Sequence, residues 1–266
     1  MFYFDTHIHF FPDNIAPKAI QSLSEICGIA PHTVGTLANT KQVFKDWNYC
    51  GGVALHIATN PHQQTAVNSF AIASQTENLL CFGSVHPDSL DIETELKRIK
   101  KAGLRGIKLH PDYQNFFVDE KRVFPIYETA AHLDLPITFH TGFDPLSPNC
   151  VHCTPEALAY VADSFPNLKI IGAHMGGSYM PDDAVKYLSN KKNVWIDTAI
   201  ISAFLTPEKF ASIVKAFGSE RIFFATDCPW ASALEIIKII DNAGLTVSER
   251  EHIYYKNAAC FFELTL

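Results

Sequence analysis

Eight short apolar runs, helix-patterned segments between them, and a cluster of histidines at one end of those runs predict an α/β protein built as a (β/α)8 TIM barrel. Runs rich in β-branched and aromatic residues read as strands, and strands that alternate with helices pair in parallel. The 266 residues suit the roughly 250 that such a barrel needs. No Ser/Gly linker interrupts the chain, so residues 1–266 are expected to form a single domain. No Gly-rich phosphate fingerprint follows the first run, which weighs against an open dinucleotide-binding sheet.

The strand segments fall at 2–10 (FYFDTHIHF), 49–59 (YCGGVALHIAT), 79–87 (LLCFGSVHP) and 103–111 (GLRGIKLHP). They continue at 135–142 (LPITFHTG), 168–177 (LKIIGAHMGG), 193–199 (NVWIDTA) and 221–230 (RIFFATDCPW). The stretch 13–48 is long enough for a helix, a loop around Gly28–Gly35 and a second short helix. In 91–103 (DIETELKRIKKAG), Ile92, Leu96 and Ile99 form one stripe among charges. TPEALAYVADSF at 154–165 and TPEKFASIVKAF at 206–217 share a helix-start signal: a capping threonine, a proline in the first turn and an early glutamate. Further helices fit 231–243 and 247–264.

Composition bounds the function. With 47% hydrophobic and 18% charged residues, the chain reads as an ordinary globular protein. A net charge of −7 offers no footprint for nucleic acid or an anionic membrane. No charged-then-apolar-then-small pattern opens the sequence, so no secretory signal is expected; no apolar run approaches membrane length, and seven scattered cysteines read as reduced thiols, so a cytoplasmic enzyme is expected.

Seven of the 12 histidines lie at or near the C-terminal ends of the strand segments: His7, His9, His56, His86, His110, His140 and His174. A barrel gathers all its strand ends around one mouth, where its chemistry occurs. Core histidines satisfied by hydrogen bonds would be spread over both ends. His7 and His9 share one face by strand alternation, His140 ends the fifth strand, and Asp227 ends the eighth, beside the first once the barrel closes. Three imidazoles and a carboxylate suit Zn²⁺ or a similar divalent ion, with one position open for water. Singly these residues mean little: a lone H-x-H is a weak sign, His140 reads as a core residue and Asp227 as a helix cap. Together, at the right strand ends, they are far more specific.

With those residues placed, the sequence resembles the amidohydrolase superfamily, in the amidohydrolase-2 branch that includes aminocarboxymuconate-semialdehyde decarboxylase-like enzymes. The resemblance is carried by DTHIHF, GIKLHP, FHTG, GAHMGG and ATDCPW, in order along essentially the whole chain. It implies a barrel with a divalent metal on His7, His9, His140 and Asp227. It also implies that His174 orients or deprotonates the metal-bound water and that Asp227 doubles as a proton shuttle. In binuclear members of the wider superfamily a carboxylated strand-4 lysine bridges two metals, a part Lys108 could take; its alternative is a deeper lysine paired with an acid such as Asp5. GIKLHP also resembles mononuclear members, so one ion is favoured over two. Branch members that decarboxylate aromatic acids often replace the two histidines by a glutamate and a small residue. This chain keeps the pair typical of hydrolases and of the semialdehyde decarboxylase. Dimers are frequent in the branch, so a homodimer is the expected assembly.

The rest of the mouth is less specific. His110, nearer the mouth than Lys108, is a candidate for substrate or a second ion, and Trp230, with aromatic residues of other strand-end loops, for a pocket wall. Arg122, the one arginine placed to meet a substrate anion, reads slightly better as an exposed charge. NCVHC at 149–153 has metal-like spacing in Cys150, His152 and Cys153, but no second C-x-x-C to complete it. The function expected is a metal-dependent hydrolase acting on a small molecule through a metal-activated water. The alternative is a metal-dependent, non-oxidative decarboxylase, a carbon–carbon lyase.

Overall fold

The structure is a computed structural model and describes residues 1–265. In chain order its elements are β1 (Tyr3–Ile8), α1 (Ala16–Cys27), α2 (Leu37–Asp46), β2 (Tyr49–Leu55), α3 (Gln64–Ser74) and β3 (Leu79–Phe82). There follow α4 (Ile92–Lys101), β4 (Ile107–Leu109), α5 (Phe124–His132), β5 (Ile137–Phe139), α6 (Pro155–Ser164), β6 (Ile170–Gly172) and α7 (Pro181–Leu188). The chain ends with β7 (Val194–Asp197), α8 (Pro207–Phe217), β8 (Ile222–Phe223), α9 (Ala233–Asp241), α10 (Val247–Glu251) and α11 (Asn257–Phe262).

All eight expected strands form, each shorter than its apolar run. The paired ladder stops just before the chemistry-bearing residues: His110 follows Leu109, His140 follows Phe139, and His174 lies two residues past Gly172. The expected helix starts are also present. Thr154 accepts from the Ala157 N–H at 3.1 Å and Thr206 from the Lys209 N–H at 3.3 Å. The single helix expected over 247–264 is instead broken by a wide π-type turn at His252–Lys256. That turn frees the Ile253 carbonyl to accept from the Phe224 N–H at 2.8 Å, and the Tyr254 hydroxyl donates to Asp241 Oδ1 at 2.8 Å. Helix α3 lacks an apolar stripe because its buried face is small and polar: Gln64, Asn68, Ala71 and Ser74.

The chain divides into two compact units, residues 1–54 with 196–266, and residues 55–195. In the first, β1 runs parallel to β2, and Ile196 and Asp197 of β7 pair with Ile222 and Phe223 of β8. The terminal segments are laced together: the Thr6 N–H donates to Phe224 O at 2.9 Å, Asp227 N–H to His7 O at 2.9 Å, and His9 N–H to Cys228 O at 2.7 Å. The order β7–β8–β1–β2 thus joins the end of the chain to its beginning. Gly52 permits the close β1–β2 approach, because a Cβ there would lie 2.7 Å from Asp5 O and 2.8 Å from Ile8 Cδ1. Phe4, Ile8, Phe223, Phe224 and Tyr254 fill the core, with the Tyr3 and Tyr254 rings edge to face at 4.9 Å.

In the second unit, the Lys108 N–H donates to Gly83 O at 2.8 Å, which ties the end of β3 to β4. Strand β4 pairs in parallel with β5, and β5 with β6, so that Leu109, Phe139 and Gly172 lie level. Asn68 of α3 donates to Glu95 Oε1 at 2.6 Å and Ser84 O at 2.8 Å, and accepts from the Ser84 N–H at 2.7 Å. A polar helix face is therefore satisfied inside this unit. No helix among the described residues is long and apolar enough to cross a membrane.

Candidate metal centre

Two groups of potential metal donors form among the described residues, one in each unit: His7, His9 and Asp227, and His110, His140 and Asp144. The first is set by strand geometry. His7 lies near the end of β1, His9 follows that strand, and Asp227 lies past β8. His7 Nε2 is 3.1 Å from His9 Nε2 and 3.4 Å from Asp227 Oδ1, and His9 Nε2 is 3.3 Å from Asp227 Oδ1. A tetrahedral ion with bonds of about 2.0–2.1 Å has ligand–ligand edges of about 3.3–3.4 Å. The three donor atoms therefore outline one face of such a shell. Their lone pairs would repel at this spacing unless a cation or proton took them up, so this donor set fits a divalent ion.

The surroundings fix the set. Asp197 Oδ2 lies 2.9 Å from His7 Nδ1, within hydrogen-bond distance on the side of the ring away from Nε2. Asp5 is buried below. Its Oδ1 accepts from the His7 and Thr226 N–H groups at 3.1 Å each, and its Oδ2 from the Tyr49 hydroxyl at 2.8 Å and the Thr226 hydroxyl at 2.6 Å. Burial pushes the Asp5 carboxyl up to about 6 against those donors, and burial with the Asp5 charge raises the Tyr49 phenol well above its ordinary value. Asp227 has φ +71°, a left-handed conformation costly for a non-glycine residue. Its N–H on His7 O and the Trp230 N–H on its own carbonyl, at 2.8 Å, hold it there. Trp230 is half-buried beside this turn.

The second group has different geometry. The His110 and His140 rings stack 4.2 Å apart and 14° from parallel, and Tyr113 stacks on His110 at 3.8 Å. Metal bonds follow the in-plane nitrogen lone pairs, which in stacked rings run side by side instead of meeting. These two imidazoles do not fit one shared ion. Asp144 Oδ2 faces both, 3.4 Å from His140 Nε2 and 3.6 Å from His110 Nε2, and its Oδ1 accepts from the Leu146 N–H at 2.7 Å. His174 Nε2 and His140 Nδ1 share a hydrogen bond of 3.0 Å. His174, like Asp227, is left-handed, with φ +55°. Lys108 is 1% exposed, a rare burial for lysine.

The structure thus brings His7, His9 and Asp227 together in one unit, and His110, His140 and His174 in the other. Arg122 donates to Asp88, Glu120 and the Asn115 carbonyl, the exposed surface charge that the sequence favoured. In the NCVHC loop, His152 donates to Asp112 at 2.9 Å and stacks on Phe117, Cys150 is exposed and Cys153 buried. No metal group forms there among the described residues. The sequence did not single out Asp197 or Asp144. A carboxylate ending the apolar segment VWID was an available signal for Asp197, whereas Asp144 sits in a loop whose path no local pattern announces.

Comparisons with known proteins agree with this architecture. A family model described as amidohydrolase matches residues 4–264. A solved structure of an uncharacterised TIM-barrel protein from Bordetella bronchiseptica superposes with a TM-score of 0.78 at 15% identity, covering 99% of both chains. A 2,6-dihydroxybenzoate decarboxylase, solved with 2,6-dihydroxybenzoate, gives 0.74 at 16% identity, covering 98% of this chain and 99% of that one. A dihydroxybenzoic acid decarboxylase from Polaromonas sp. JS666, with bound manganese and the inhibitor 2-nitroresorcinol, gives 0.72 at 15% identity, covering 98% and 96%. No curated protein matches. At such identities the likeness speaks for the fold, and the fold is the (β/α)8 TIM barrel expected.

Proposed function

The chain belongs to the amidohydrolase family, and on that footing we propose that it is a metal-dependent, non-oxidative decarboxylase of small carboxylated aromatic acids. The sequence placed hydrolysis first and decarboxylation second. The fold-level relatives support the reverse order, since two of them are decarboxylases of dihydroxybenzoates. The observation that carries metal dependence is the His7 Nε2, His9 Nε2 and Asp227 Oδ1 triangle with edges of 3.1–3.4 Å.

Two neutral imidazoles and a carboxylate accept Zn²⁺, the ion expected from the sequence, and also Mn²⁺, the ion of the Polaromonas enzyme. A divalent ion there would polarise a substrate oxygen or acidify a bound water. The chain's own residues do the rest. His7, His9 and Asp227 hold the donor positions. His174 takes and returns a proton, assisted by its hydrogen bond to His140. In decarboxylation the bond from ring carbon to carboxyl breaks, its electron pair stays on the ring carbon, a proton replaces the carboxyl there, and CO₂ leaves.

Protein loaded with Mn²⁺ or Zn²⁺, incubated with hydroxybenzoates in D₂O, should release CO₂ and place deuterium on the ring. A parallel panel of esters, amides and lactones in H₂¹⁸O reads hydrolysis. Product carrying ¹⁸O, with no CO₂ from any acid, would return hydrolysis to first place.

A further inference from the structure

We propose that Asp197 is a positioning residue that fixes the tautomer and orientation of His7 for metal binding. This rests on the metal-dependent reading above. Asp197 closes β7 and is fully buried. Its Oδ1 accepts from the Ala199 N–H at 3.1 Å, which anchors the carboxylate. Its Oδ2 lies 2.9 Å from His7 Nδ1.

The topology explains how the two meet. Asp197 is level with Phe223 of β8, and β8 is laced to β1, so β7 and β1 flank one strand. Two strand spacings amount to about 9–10 Å, a span that inward-pointing side chains can bridge. In a (β/α)8 barrel, inward side chains of alternate strands form one layer, and the first and seventh strands fall in the same set.

The chemical consequence concerns a single proton. An imidazole places its hydrogen on either nitrogen, and only the nitrogen without it can bind a metal. A buried carboxylate facing Nδ1 keeps the hydrogen there, so Nε2, the atom aimed at His9 and Asp227, keeps its lone pair. The same contact stops the ring from rotating out of the donor triangle. Partners of this kind typically change metal affinity by about 10–100-fold when removed.

The test compares wild type, Asp197→Asn, Asp197→Ala, His7→Ala and the His7→Ala/Asp197→Asn double variant. Mn²⁺ and Zn²⁺ affinities are read by competition with a chromophoric chelator. The His7 tautomer is read in metal-free protein from ¹⁵N imidazole shifts. The expected result is affinity weaker by about 10–100-fold in both Asp197 variants, loss of the fixed Nδ1–H form in Asp197→Asn, and no further loss when Asp197→Asn is added to His7→Ala. Asp197→Asn keeps the side-chain size, so it reads the effect if Asp197→Ala fails to fold. Unchanged affinity with an unchanged tautomer overturns the proposal, as does an equal additional loss in the His7→Ala background. If wild type binds neither ion, the metal-dependent reading fails, and the tautomer measurement still decides whether Asp197 sets the His7 ring.

Discussion

At the scale of single residues, the candidate centre depends on side chains whose neighbours leave them little choice. His9→Ala and Asp227→Asn should each lose stoichiometric divalent ion on dialysis, measured by elemental analysis; full retention in either would contradict the donor triangle. The thiols give an independent check on burial. Burial raises the Cys81 thiol to about 12 and also raises the Cys228 and Cys153 thiols, with the Asp112 charge adding to the rise at Cys153. Cys150 and Cys260 are exposed. Alkylation of native protein at pH 8, followed by mass spectrometry, should therefore modify Cys150 and Cys260 quickly and spare those three until denaturant is added. His7, His9 and Asp227 were legible in the sequence because strand alternation and strand ends are written in local pattern. Asp197 and Asp144 were not, since a carboxylate's partner is decided by ring orientation and loop path, which depend on residues far along the chain.

Elements were read better in existence than in extent. Strands β4, β5 and β6 each keep three residues of longer apolar runs, because the chain leaves the ladder where side chains must turn toward chemistry. Helices α6 and α8 announced themselves through threonine and proline. Helix α3 did not, since its buried face bonds through amides instead of packing through methyls. These two kinds of element should respond differently to truncation. Thr154→Ala or Thr206→Ala removes one cap and should cost about 1 kcal/mol in urea unfolding. Asn68→Ala leaves the buried Glu95 carboxylate and the Ser84 N–H short of partners, and should cost more, about 2–3 kcal/mol. Equal costs would mean that the Asn68 network contributes no more than a surface cap.

For the whole molecule, the metal reading and stability are coupled. An ion that binds the folded centre at a free concentration about 1,000 times its Kd adds about 4 kcal/mol. For a chain of this size that corresponds to a rise in Tm on the order of 10 °C. Differential scanning calorimetry with Mn²⁺ or Zn²⁺ should show that rise in wild type, and His9→Ala should abolish it. The barrel was legible in the count and spacing of its eight runs. The division into one continuous and one discontinuous unit was not, because contact density leaves no mark on composition. That division bears on how the protein is made. Asp5 and Thr226, joined beneath the donor triangle, lie 221 residues apart. Residues 55–195 can collapse on the ribosome as soon as they emerge, whereas the first strand must wait for the last to be translated. Until then the two amino-terminal histidines have no carboxylate from the eighth strand beside them, so the donor triangle cannot close until synthesis is nearly over.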